Sequence, residues 1–77
     1  MVEKTISLHS VEDVKRLVTL ANSYDFDVHL SEGKYIIDAK SIMGVFSLDL
    51  AKQITIVADC DESSTFCADL KKFIESH

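Results

Sequence analysis

Few residues of this chain are of a type that does chemistry, and their spacing limits what they could do. The histidines are His9, His29 and His77, too dispersed in sequence to suggest a metal site. The two cysteines, Cys60 and Cys67, have neither Cys-x-x-Cys spacing nor a disulfide framework around them, so reduced thiols are expected. Cys60 lies in the acidic run Asp59-Cys60-Asp61-Glu62, which reads as a solvated turn with no cation to activate a thiol. Cys67 falls beside an apolar helical stripe and reads as a small buried hydrophobe. Two serines stand where helices should begin. Ser10 precedes Val11, Val14, Leu17, Val18 and Ala21, a stripe of helical period, and with Asp13 it approximates a capping box. Ser41 precedes Ile42, Met43, Gly44, Val45 and Phe46. The spacing of Ile42, Met43 and Phe46 cannot turn all three inward, so this short helix should present a contact surface.

The bulk properties narrow the classes. A chain of 77 residues is expected to form one domain spanning 1–77. It should bury roughly 60% of the surface its unfolded form exposes, which leaves no room for an internal catalytic cavity. The 47% apolar content excludes a disordered chain. A net charge of −5 argues against nucleic acid and anionic membranes as partners, since both need basic surfaces. No apolar run is long enough to span a bilayer, and the first residues lack the apolar region of a secretion signal, so a cytoplasmic location is expected.

The elements that must position these residues follow from periodicity. Thr5 to His9 alternates, with Ile6 and Leu8 on one face, and predicts a first strand. A helix from Val11 to near Ser23 comes next. Phe26, Val28 and Leu30 predict a second strand, Ser31-Glu32-Gly33 a turn, and Lys34 to Asp38 a third strand, the two forming a hairpin. A short helix from Ser41 to Leu48, a strand from Gln53 to Asp59, and a last helix capped by Ser63 or Ser64 complete the chain. Phe66, Leu70, Phe73 and Ile74 form the stripe of that last helix. The order βαββαβα implies an α+β open-faced sandwich: a four-stranded antiparallel sheet with three helices on one face. Pattern alone leaves several topologies open, ferredoxin-like and ACT-like among them.

The run Lys40-Ser41-Ile42-Met43-Gly44-Val45-Phe46-Ser47-Leu48 closely resembles the second-helix signature of HPr, the histidine phosphocarrier of the sugar phosphotransferase system. The resemblance extends from about Ala21 to Lys52 and includes the passage Ala21-Asn22-Ser23-Tyr24-Asp25-Phe26-Asp27-Val28. Element order agrees over the whole chain. The resemblance also exposes a loss. The family's active-site motif, His-Ala-Arg-Pro at the start of the first helix, has no counterpart. Ser10 stands where the family has its phosphorylated histidine, Glu12 where it has arginine and Asp13 where it has proline. The segment between Lys4 and Ser10 is also several residues shorter than the family's. A phosphohistidine needs free N–H groups at a helix N-terminus and a nearby arginine, and two carboxylates in that turn would repel phosphate.

For His9, two readings stand side by side: a displaced phosphoacceptor one residue before the cap, and an outward-facing residue at a strand end. The neighbouring Glu12 and Asp13 favour the second. For Ser41, the resemblance implies regulatory phosphorylation by a serine kinase, while the residue type alone requires only an N-cap. Lys40, Ile42, Met43 and Phe46 correspond to the family's docking surface for partner proteins. The resemblance thus implies a non-enzymatic regulatory or adaptor protein without a cofactor. Its partners would be phosphotransferase-system enzymes, a serine kinase or a transcriptional regulator. The nearest analogy is the catabolite-repression homologue of HPr, which lacks the histidine and keeps the serine. An active phosphocarrier using His9 is one alternative. A small-molecule-binding ACT-like regulatory domain is another, although no glycine-rich turn joins the first strand to the first helix.

Overall fold

The computed structural model describes residues 1–75. Seven elements follow in the expected order: β1 (Val2–Ile6), α1 (Val11–Asn22), β2 (Val28–Glu32), β3 (Tyr35–Asp38), α2 (Ile42–Phe46), β4 (Ile54–Ala58) and α3 (Thr65–Glu75). The strands form one antiparallel sheet in the order β1-β4-β2-β3. Val28, Leu30, Ile54, Ile56 and Ala58 point from the sheet into a core closed by Val14, Leu17, Ala21, Val45, Phe66, Leu70 and Phe73. Among the described residues no helix covers the opposite sheet face, where His29 and Ile36 are exposed.

The first strand begins and ends earlier than the alternation suggested. Val2 pairs with Ala58 and Ile6 with Ile54, and pairing stops there because β4 starts at Ile54. Leu8 keeps the inward phase and is buried, but it lies in the connection to α1 and not in the sheet. Lys4 occupies an inward-phase position at the sheet edge, where its ammonium lies 3.7 Å from Glu62. A charged residue in phase with Val2 and Ile6 hid the true start of the strand. Phe26 likewise lies outside β2. Its ring stands 5.2 Å from Tyr24 and 5.5 Å from Phe66, an aromatic cluster that ties the end of α1 to α3.

The β2–β3 hairpin turns on Gly33 and Lys34, with Glu32 paired to Tyr35. Gly33 has φ 59° and, among the described residues, no non-glycine residue has positive φ, which is the type II′ pattern matched to strand twist. α3 is capped by Ser64, whose hydroxyl accepts from Phe66 N at 3.1 Å. The connection between β1 and α1 is only residues 7–10, as short as the sequence implied.

Candidate functional site

Two helix starts carry the candidate residues. At α1, Ser10 is extended (φ −153°, ψ 166°) and its Oγ accepts from Asp13 N at 3.1 Å. The Asp13 carboxylate turns back over the same helix end, and its Oδ2 accepts from His9 N at 2.9 Å. In the usual capping box the third helical residue returns to the cap's own N–H; here the return reaches one residue further out. Asp13 is only 8% exposed. Arg16, one turn on, brings Nη1 to 3.9 Å from Asp13 Oδ1 and lays its guanidinium over the Phe73 ring, 5.1 Å from the centroid. The helix terminus is thus occupied by a carboxylate of its own chain. An N-terminal turn that attracts anions through its N–H groups and dipole has its anion built in.

His9 lies outside any strand, exposed, beside an open cleft lined by Leu8, Leu50, Lys52 and Gln53. His29 is on the bare sheet face, opposite Asp38 across the hairpin. His77 lies outside the described residues. Among the described residues no group of three or more His, Cys, Asp or Glu side chains could hold a metal ion. No described helix is long and apolar enough to cross a membrane.

At α2, Ser41 (φ −98°, ψ 108°) accepts from Gly44 N at 3.2 Å through Oγ and from Val45 N at 3.0 Å through its carbonyl. A methyl group at Gly44 would meet Ser41 Oγ at 3.3 Å, so the glycine keeps room for that cap. Lys40 is fixed on both sides. Its N–H donates to Asp38 Oδ1 at 2.9 Å, and its carbonyl accepts from Asn22 Nδ2 at 3.1 Å. The second bond fastens the end of α1 to the start of α2. Val45 and Leu48 anchor the short helix in the core. Ile42, Met43 and Phe46 remain outside, 37%, 76% and 39% exposed. With half-exposed Lys40 and exposed Ser41 they belong to a single short segment.

Two relationships escaped the sequence. Asp13 is a buried latch as well as a cap partner, which follows from the short connection that brings His9 N over the helix. Cys67, read as a small buried hydrophobe, is only partly buried, and its Sγ donates to Asp61 O at 3.5 Å.

The sheet order, the single helical layer and the two serine-capped helix starts define an open-faced α+β domain of known type. The family described as the PTS HPr component phosphorylation site matches residues 8–76, and the chain belongs to the HPr family. Among solved structures, an HPr protein of Thermoanaerobacter tengcongensis (HPr-C-His) superposes with a TM-score of 0.79 at 25% identity, covering 99% of this chain and 93% of its own. The histidine-containing phosphocarrier protein of Mycoplasma gives 0.76 at 18% identity, with 97% and 93% coverage. The catabolite repression containing protein Crh of Bacillus subtilis gives 0.67 at 24% identity, with 99% and 88% coverage. The last two likenesses concern the fold alone. No curated protein matches this chain.

Proposed function

We propose that this protein is a regulatory or adaptor member of the HPr family that docks on other proteins through α2 and does not carry a phosphoryl group on histidine. The observation that supports this most is the Asp13 carboxylate seated on the N-terminus of α1, with Oδ2 bound to His9 N. An incoming phosphoryl group would meet a negative charge where the family's chemistry requires vacant N–H donors. Glu12 adds a second carboxylate to the same turn. His9, exposed beside the cleft, supports the rival reading of a displaced phosphocarrier, and the same two carboxylates weigh against it.

Docking falls to Ile42, Met43 and Phe46, with Lys40 at their edge. Burying apolar surface gains about 25 cal/mol per Å², before association costs, so a patch of this size suits a transient complex. Ser41 is the proposed regulatory phosphorylation position. A phosphate there would add up to about two negative charges beside Lys40 at the edge of the patch. The partners fitting this reading are phosphotransferase-system enzymes, a serine kinase or a transcriptional regulator. Titrating isotope-labelled protein with the first enzyme of that system tests the docking. Resonances of Lys40 to Phe46 should shift, and Met43→Ala should weaken the complex. Shifts confined to the bare sheet face would overturn the reading.

A further inference from the structure

β3 ends the sheet, and no other described strand pairs with its outer edge. Antiparallel pairing alternates the residues that bond to the neighbouring strand. Glu32 and Tyr35 close the two-residue turn, and Ala39 N donates to Val28 O at 2.9 Å, so the odd-numbered residues bond to β2. The peptide groups of Ile36 therefore point out of the sheet. Ile36 is 70% exposed, and Tyr35, on the opposite face, is 68% exposed. Charges of one sign commonly blunt such an edge. Here the flanking charges differ in sign: Lys34 precedes the strand and Asp38 ends it, both exposed. The Asp38 carboxylate is held in place, its Oδ1 accepting from Lys40 N at 2.9 Å.

We propose that the β3 edge is an interaction surface whose partner is a second copy of this chain, the two β3 strands pairing antiparallel about a two-fold axis. The charges choose the register. With Ile36 opposite its own counterpart, each Lys34 faces Asp38 of the other copy, and each Tyr35 faces Ile37. Moving the axis to Ile37 would set Lys34 against Lys40, and parallel pairing would set Lys34 against Lys34. Opposite charges across a strand pair stabilise it, as do aromatic and β-branched neighbours, while like charges destabilise it. At the axis, the N–H of each Ile36 donates to the carbonyl of the other. Such a contact uses the same patch on both copies and closes at two. An edge of 4 residues falls well short of the roughly 1,200 Å² that stable interfaces bury, so the dimer forms only at high concentration.

Sedimentation velocity from micromolar to millimolar protein, with amide resonances followed alongside, tests this. The native chain should pass from monomer to dimer and no further, with shifts centred on Lys34 to Asp38. Ile36→Lys sets two ammonium groups against each other at an exposed position, and should abolish association while the fold is kept. Asp38→Asn keeps an acceptor for Lys40 N and lowers the net negative charge, which by itself would favour association. It should nevertheless weaken the dimer severalfold, because the pairing with Lys34 is lost. A chain that stays monomeric at millimolar concentration, a dimer indifferent to Ile36→Lys or strengthened by Asp38→Asn, or growth beyond two copies would overturn the proposal.

Discussion

Asp13 Oδ2 accepts from the backbone N–H of His9 at 2.9 Å, while the N–H of Asp13 donates to Ser10 Oγ at 3.1 Å. The two bonds close the start of α1 on itself. The family's active-site position and this latch occupy the same helix end, so on the proposed reading the residues that stabilise the fold here are the ones that would oppose phosphohistidine chemistry. Arg16, at 3.9 Å, partly balances the enclosed carboxylate.

Removing the latch should cost stability. Asp13→Ala deletes the acceptor for the part-buried His9 N–H, an expected loss of about 1–2 kcal/mol. Urea unfolding with an unchanged m-value would measure it. A variant as stable as the parent would mean that solvent satisfies this helix end without the carboxylate.

The phenylalanines should separate surface from core. Phe46 is 39% exposed and Phe66 is fully buried. Phe66→Ala should lose roughly 3–5 kcal/mol, and Phe46→Ala much less, about 1 kcal/mol, with cooperative unfolding preserved. Thermal melts of the pair decide it. A collapse of Phe46→Ala would place that side chain in the core and reduce the docking surface to Met43 and its neighbours.

Ser41 should matter to folding even when unmodified. Ser41→Ala removes the acceptor for Gly44 N and should cost about 0.5–2 kcal/mol, whereas Ser41→Asp retains a cap and should stay near the parent. Equal losses from both substitutions would show that Ser41 contributes to stability through something other than its cap.

Gly33 should tolerate no side chain without strain. Its φ of 59° is open in space but costs an L-residue about 1–2 kcal/mol, so Gly33→Ala should lower the melting temperature. Gly33→Asn should lose less, and calorimetry of the two variants tests the turn type.

The fold was legible because alternation and helical period agree along most of the chain. Val14, Leu17, Val18 and Ala21 give α1, and Ile54, Ile56 and Ala58 give β4, before any packing is considered. The first strand was misplaced because Lys4 interrupts an otherwise apolar phase, its charge answered by Glu62, a residue far away in sequence. At the candidate site, the Ser10 and Ser41 caps could be read locally, since a cap bond spans three residues. The spacing of Ile42, Met43 and Phe46 required at least one of them to be exposed; that all three are follows from the packing of Val45 and Leu48 into the core. The return of Asp13 to His9 depends on how tightly residues 7–10 turn, and the reach of Cys67 Sγ to Asp61 O depends on where α3 docks. Neither has a local signature.

Phosphotransfer to this protein is the most direct test. The protein is incubated with phosphoenolpyruvate and the first enzyme of the phosphotransferase system, beside an HPr that carries the histidine motif, and intact masses are read before and after mild acid. The occupied helix end predicts a labelled control and no acid-labile phosphate on this protein. Stoichiometric phosphohistidine at His9 would contradict it and make the chain a phosphocarrier.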